Sequence, residues 1–198
     1  MNPATEAKEI AEGLRRRDIA TIHKLVERYQ YRLTRYLLYL TGRQDLAEDL
    51  FQETWLRVLE RGAQFDESSR FEPWLFTIAR NLTIDYFRRK KMVSLDAPME
   101  SDGATGTNEE SLATKLADHG SASPFELAAR SEDAARLAQT LLLLAPIYRE
   151  VLVLRFQEQL SLQEVGRVIG APVATVSSRL RRGLAALRSH LEGVAHVR

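Results

Sequence analysis

Apolar residues recur through most of this 198-residue chain at steps of three and four, the period of an amphipathic helix. No stretch shows the two-residue alternation of a half-buried strand. The pattern predicts helices over 5–16, 19–41, 45–61 and 72–91, and again over 132–144, 147–157, 162–169 and 173–191. Asp18 and Asp45 are expected N-caps, and Gly42 and Gly62 expected stops. Pro73 falls in a first turn, where a missing N–H is tolerated, and Pro146 breaks one helix from the next. Ser161 and Glu164 stand at capping-box spacing, and Gly170 suits a left-handed helix end.

The helix over 45–61 has an inner face of Leu46, Ala47, Leu50, Phe51, Thr54, Trp55, Val58 and Leu59. Its outer face carries Asp45, Glu48, Asp49, Gln52, Glu53, Arg57 and Glu60, with Leu56 among them. Two readings fit that face. It is a solvated acidic surface with one stray leucine, or a docking surface for a basic partner with an apolar contact point. The helix over 72–91 is also two-sided. Trp74, Leu75, Ile78, Ala79, Leu82 and Tyr86 share one face, while Phe76, Arg80, Thr83, Phe87 and Lys91 share another. Arg88, Arg89, Lys90 and Lys91 close it. Those cations complement the macrodipole, and aromatics interleaved with cations also suit single-stranded DNA.

Residues 161–191 predict a helix, a tight turn at Gly170-Ala171-Pro172 and a second helix. Val173, Val176, Leu180, Leu184, Leu187 and Leu191 form an apolar stripe on that second helix. Its opposite side bears Thr175, Ser178, Arg179, Arg181 and Arg182, with no acid among them. Such a face supplies cations for phosphates and small or forked donors for base edges, so the segment reads as a helix-turn-helix; the bland alternative is a solvated arginine face.

Charge then divides the chain. Residues 1–92 carry 17 basic and 14 acidic side chains, 93–133 carry 2 and 9, and 134–198 carry 9 and 4, which leaves a net +1 overall. Pro98, Gly103, Gly106, Gly120 and Pro124 interrupt the acidic strip, which reads as a flexible linker over 93–131 with room for a short helix near 110–117. The class is therefore all-α: two small helical domains, 1–92 and 132–198, joined by an acidic flexible linker.

The chain contains no cysteine, so disulfides, iron–sulfur clusters and cysteine–zinc sites are excluded. His23, His119, His190 and His196 form no metal-ligating pattern. There is no glycine-rich phosphate loop and no nucleophile elbow. No catalytic residue, metal or cofactor is expected. The sequence has no apolar run of membrane-spanning length and no signal-peptide pattern, so a cytoplasmic location is expected.

DLAEDLFQETWLRVLER, FEPWLFTIARNLTIDYFRRKK and LSLQEVGRVIGAPVATVSSRLRRGLAAL, in that order, resemble the extracytoplasmic-function (ECF) group of bacterial RNA polymerase sigma factors. The resemblance implies a region 2 helical bundle over roughly 22–92 and a region 4 helix-turn-helix over roughly 133–192. It implies a specificity subunit that binds core polymerase, reads −35 and −10 promoter elements, helps open the duplex and performs no catalysis itself. By that resemblance Asp45, Glu48, Asp49, Gln52, Glu53, Leu56 and Arg57 would dock on the clamp helices of the β′ subunit. Arg80, Asn81, Asp85, Tyr86, Arg88, Arg89, Lys90 and Lys91 would meet and melt the −10 element. Phe65, Asp66, Ser68 and Ser69, in the loop before that helix, would help hold a flipped base. Thr175, Ser177, Ser178, Arg179, Arg181 and Arg182 would read the −35 element. Ser177 and Gly183 depart from the commoner family pattern. Further implied partners are the flap of the β subunit and an anti-sigma factor, and the linker would thread the RNA exit path.

Overall fold

The computed structural model describes residues 3–96 and 132–195, and every regular element among them is helical. Residues 97–131 of the expected linker, including the helix near 110–117, lie outside the described residues; 93–96, expected to belong to the linker, instead continue the helix that begins at Phe71. The N-terminal helices are α1 (Pro3–Arg16), α2 (Ile19–Thr41), α3 (Gln44–Arg61) and α4 (Phe71–Asp96), with a 3-10 turn at Gly62–Gln64. The C-terminal helices are α5 (Glu132–Leu143), α6 (Pro146–Leu152), α7 (Leu162–Ile169) and α8 (Val173–Ala195).

Local chemistry sets most boundaries. Asp18 caps α2, its carboxylate accepting from the Thr21 N–H at 2.9 Å and from the Thr21 hydroxyl at 2.5 Å. Those bonds hold its carboxyl below the usual aspartate range. Gly42 ends α2 at φ 67°, and its N–H donates to Leu38 O. Asp45 is not the cap of α3. The cap position is Arg43, whose side chain makes no capping bond, and Asp45 pairs with it from inside the first turn. Gly62 is not a left-handed stop either; its φ is −55°. Its role is close approach, since a Cβ there would lie 2.9 Å from Leu14 of α1.

α2 runs through the middle of the fold, burying Leu25, Tyr29, Leu33, Tyr36 and Leu37 against α1, α3, α4 and α6. Phe65 and Phe71 reach in beside it. Tyr29 lies 5.4 Å from Phe71, Phe71 lies 5.5 Å from Phe65, and Phe65 lies 5.3 Å from Trp74. Burying each such ring is worth on the order of 2–3 kcal/mol.

The C-terminal helices build the expected turn. Ser161 and Glu164 form the reciprocal capping box of α7, and Gly170 ends that helix at φ 65°. The Gly166 carbonyl accepts from the N–H groups of both Gly170 and Ala171. A Cβ on Gly166 would sit 2.7 Å from the Ala171 carbonyl oxygen, closer than van der Waals contact permits. Helix propensity alone would have Gly166→Ala stabilise α7 by about 1 kcal/mol. The contact reverses that sign, and we expect a loss of about 1–3 kcal/mol. Urea unfolding of the full chain checks it; an unchanged or higher midpoint would contradict the tight-turn account.

Two elements differ from expectation. The predicted helix over 147–157 is α-helical only to Leu152, then widens into a π turn at Val153–Gln157. The wider turn lets Val151, Leu152, Val153 and Leu154 all be buried, which one face of a regular helix does not allow. In α8 the apolar stripe is displaced. Val176 and Leu180 are buried, but Val173 and Leu184 are 41% and 44% exposed. Gly183 occupies the inward position, with Leu152 and Tyr148 of α6 lying 3.2–3.3 Å from where its Cβ would be. The glycine that costs α8 helical propensity is what lets α6 and α8 meet.

The two sets of helices share one apolar core. α4 packs on α7, and α2 packs on α6.

Candidate functional site

Three surfaces carry the chemistry. On α3, burial of Leu46, Ala47, Leu50, Thr54, Trp55 and Val58 turns the opposite face to solvent. Glu48, Asp49 and Gln52 are exposed, Glu53 and Arg57 are half-buried, and Leu56 stands 55% exposed among them. Arg57 bridges Glu53 at 3.1 Å and Glu60 at 3.2 Å, and Gln44 donates to Glu48 at 3.0 Å. The Arg43 guanidinium holds the Asp45 carboxyl below its ordinary range. The face is a ribbon of carboxylates interrupted by one leucine.

The second surface is the loop 62–70 and the exposed side of α4. Asp66 accepts from the Ser68 N–H at 2.9 Å and the Ser68 hydroxyl at 2.6 Å, and its carbonyl accepts from the Ser69 hydroxyl at 2.9 Å. Those serine bonds lower the Asp66 pKa. Phe65 does not stand at the surface with them. It is 1% exposed inside the aromatic cluster, so its ring anchors the loop rather than offering a stacking face. Along α4, Asn81, Arg88, Arg89, Lys90 and Lys91 are exposed, and Asp85 and Tyr86 are half-buried. Arg88 pairs with Asp85 at 3.0 Å, and Tyr86 meets Phe87 at 5.6 Å. Arg80 is different: its Nε lies 2.7 Å from Glu150 of α6. Phe76 and Thr83, expected beside Arg80 on an open face, are 0% and 3% exposed.

The third surface is α8. Ser177, Arg181 and Arg182 are exposed, and Thr175, Ser178 and Arg179 are half-buried. The Ser178 hydroxyl donates to Thr175 O at 3.0 Å. Glu192 is the one acid within α8, about five turns from the helix start, so nothing on the helix neutralises this guanidinium face.

Sequence reasoning missed a charged seam between the two sets of helices. Glu158, with a fully buried side chain, lies 2.7 Å from Arg32 and 3.5 Å from Arg35, both on α2. Burial pushes the Glu158 carboxyl up, and the two guanidinium groups oppose that shift. Glu150 accepts from the Tyr36 hydroxyl at 3.2 Å as well as from Arg80. Arg70 reaches Glu72 at 3.4 Å and Glu164 at 3.5 Å. Arg149 donates to Tyr39 O at 2.6 Å across the same seam. Beside it lies a groove lined by Leu40, Ile84, Phe87, Leu142 and Ile147. The signal available in sequence was the ladder Arg28, Arg32 and Arg35 interleaved with Tyr29 and Tyr36 on α2.

His23 does have a carboxylate one helical turn on, Glu27 at 3.4 Å, but both are largely exposed. Among the described residues no group of three histidines or carboxylates could hold a metal, and no helix is long and apolar enough to cross a membrane.

The sigma-70 region 2 model matches residues 25–92, and the sigma-70 region 4 model matches residues 141–189. Over 167 residues the chain is 33% identical to the ECF RNA polymerase sigma factor SigW of Bacillus subtilis, covering 84% of this chain and 87% of that one. The chain belongs to the ECF group of RNA polymerase sigma factors. It is also 29% identical to SigX of Bacillus subtilis over 87% of this chain and 84% of that protein. The fold is similar to that of the sigma factor RpoE of Bartonella quintana, solved in complex with the anti-sigma factor NepR. That match has a TM-score of 0.61 and 22% identity, and covers 85% of this chain and 97% of that one. As a sigma factor, the protein directs promoter-specific transcription initiation with RNA polymerase. Both matched regions fall within the packed helices on either side of the linker.

Proposed function

We propose a residue-level division of labour for this sigma factor. The α3 ribbon around Leu56 grips core polymerase at the clamp helices of the β′ subunit. Asp66, Ser68 and Ser69, with the exposed side of α4 from Asn81 to Lys91, handle the opened −10 element. Thr175, Ser177, Ser178, Arg179, Arg181 and Arg182 read the −35 element from the major groove, and the C-terminal helices also meet the flap of the β subunit. The chain supplies specificity and no catalytic group of its own, and it works in the cytoplasm alongside polymerase. The observation that carries this reading is the acid-free face of α8, turned outward while its other side packs on α6 and α7. Three exposed or half-exposed guanidinium groups beside short hydroxyl side chains match what phosphates and base edges require.

An anti-sigma factor is the expected regulator. A protein of the same fold has been solved with one, and the groove beside the seam offers Ile84, Phe87 and Ile147, each more than 40% exposed, to an apolar helix. Run-off transcription with core polymerase on a template library tests the function. Discrete start sites sharing two upstream elements are expected. Failure to direct core to any start site, with no inhibitor present, would overturn it.

A further inference from the structure

The first helix carries none of the residues assigned above, yet it is built into one of the three surfaces. α1 turns one face inward, burying Ala7, Ile10, Ala11 and Leu14, and packs on α2 and on the 3-10 turn at Gly62–Gln64. Its junction with α2 is fixed by hydrogen bonds. The Asp18 N–H donates to Gly13 O at 2.9 Å and the Arg17 N–H to Leu14 O at 3.2 Å, with Arg17 left-handed at φ 53°. That is the bond pattern of a Schellman ending, formed here around a residue with a Cβ, for which the conformation is uncommon. Nearer its start, α1 is tied to α2 again by the Glu6–Arg28 ion pair.

From that corner α1 reaches the loop 62–70 at two points. At the start of the loop Gly62 lies against Leu14, closely enough that a side chain on Gly62 would collide with the Leu14 Cβ at 2.9 Å. At its tip the Glu67 carboxylate lies 3.1 Å from the Arg15 guanidinium, 52 positions away in the chain. Between these points the Phe65 ring is sunk in the aromatic cluster. Asp66, Ser68 and Ser69 bond to one another, which shapes the turn but does not set where it points. Its direction depends on what holds its base and its flank, and α1 touches both. Of the two carboxylates in the loop, Asp66 is taken up by Ser68 and Glu67 by Arg15. Arg16 and Arg17 are also exposed but form no ion pair among the described residues, so the contact singles out one cation of three.

We propose that α1 is a strut that sets the orientation of the base-holding loop, and that Leu14 and Arg15 are positioning residues for reading the −10 element. Leu14 acts through Gly62, and Arg15 through Glu67, by fixing where Asp66, Ser68 and Ser69 stand over the strand. A site that grips an extruded base depends on short hydrogen bonds, and a misplacement of about 1 Å can cost such a site up to about a hundredfold. An exposed ion pair such as Arg15–Glu67 adds little to global stability, so its effect falls on the loop it touches. The strut stands on the contacts described here; its consequence for base recognition rests on the assignment of loop 62–70 to the −10 element.

Two substitutions disturb the strut by unrelated means. Arg15→Glu sets two carboxylates against each other at the loop tip. Gly62→Ala keeps every charge and forces the turn away from Leu14. Each is made in the full chain and assembled with core polymerase. The probe is a fork template from a promoter found in the run-off library, with each of the four bases in turn at each −10 position. Discrimination between the best and worst base at the held position should fall about two- to fivefold in Arg15→Glu, the scale of one exposed ion pair. In Gly62→Ala, where backbone must move, it should fall on the order of tenfold. Arg15→Glu combined with Glu67→Arg restores the pair in reverse and should recover the discrimination. Amide hydrogen exchange of residues 66–69 in the free protein, which involves no DNA, should quicken in both single variants and return to normal in the reversed pair.

Unchanged exchange in both single variants would overturn the strut, as would failure of the reversed pair to recover. An equal loss of affinity for all four bases would overturn it too, because Arg15 would then act through its charge on the phosphate backbone. Ser68→Ala separates this proposal from the assignment beneath it. Discrimination lost in Ser68→Ala but kept in both strut variants refutes the positioning role. Faster exchange in the strut variants, with discrimination kept in all three, upholds the strut and removes the loop from the −10 element.

Discussion

Reversing the charge of Arg179 and Arg182 together (R179E, R182E) is expected to abolish promoter-specific transcripts while leaving assembly with core polymerase intact. Both lie on the acid-free face of α8, a helix that packs on α5, α6 and α7. A good guanidinium contact to a guanine edge is worth about 1–3 kcal/mol, and a contact to phosphate adds counterion release. Losing two such contacts and adding two repulsive carboxylates should cut −35-dependent initiation on the order of a hundredfold or more. The salt dependence of promoter binding should weaken as well, by about one unit of slope for each phosphate contact removed. Thermal unfolding should barely move, because Arg182 is exposed and Arg179 only half-buried. Footprinting and run-off transcription on one promoter, beside a pull-down on core polymerase, read all three quantities. Transcription at the wild-type level would remove α8 from the −35 assignment. Loss of core binding would mean that its charge acts on the polymerase and not on DNA.

Much of this fold was legible in sequence because its helices are punctuated by residues with one strong preference. Asp18, Gly42, the Ser161 and Glu164 pair and Gly170 act through bonds a few residues away, so spacing alone places them. α2 and α7 accordingly have the predicted bounds, Ile19–Thr41 and Leu162–Ile169. The misreadings come from side-chain contacts that helical periodicity does not show. Asp45 looks like a cap, but Arg43 reaches back to it and the helix starts earlier. Phe65 looks like an exposed loop aromatic until Phe71 and Trp74 close around it. The stripe on α8 points at Leu184 by periodicity, yet Gly183 gives α6 the closer approach, and the helix rolls toward the gap.

The site was legible in part for the same reason. Leu56 was visible as an anomaly, because an apolar residue in a carboxylate row breaks the local pattern whatever the fold. The arginine face of α8 was visible because one helix holds all of it. The seam was invisible. Each of its pairs joins residues 70 to 126 positions apart, and periodicity carries no information at that range. Arg80 shows the cost: it reads as a solvent-facing cation on α4, and the fold gives it a carboxylate partner from α6. Face-by-face reading of amphipathic helices thus assigns too much surface to solvent wherever a second body packs on the first.

Leu56→Asp should do the converse of the arginine reversals and block assembly with core polymerase. Leu56 is 55% exposed, so replacing it should change folding stability by no more than about 0.5 kcal/mol. A carboxylate already flanks it on either side, at Glu53 and Glu60, and a basic partner would gain rather than lose from a further one at long range. The predicted loss therefore depends on the contact being apolar and dry. A leucine seated in a partner's pocket at the centre of a charged ribbon has the character of a binding hot spot. Its replacement by a desolvated carboxylate should cost at least about 2 kcal/mol, roughly thirtyfold in Kd. Leu56→Asn separates the two effects, since it removes the apolar contact without adding charge and should fall between the two. Titration of labelled protein onto core polymerase measures all three, with binding to duplex DNA by the free protein as the control that should not change. Equal affinities for Leu56, Asn and Asp would show that the ribbon is solvated in the complex, and the grip on polymerase would then have to come from another face.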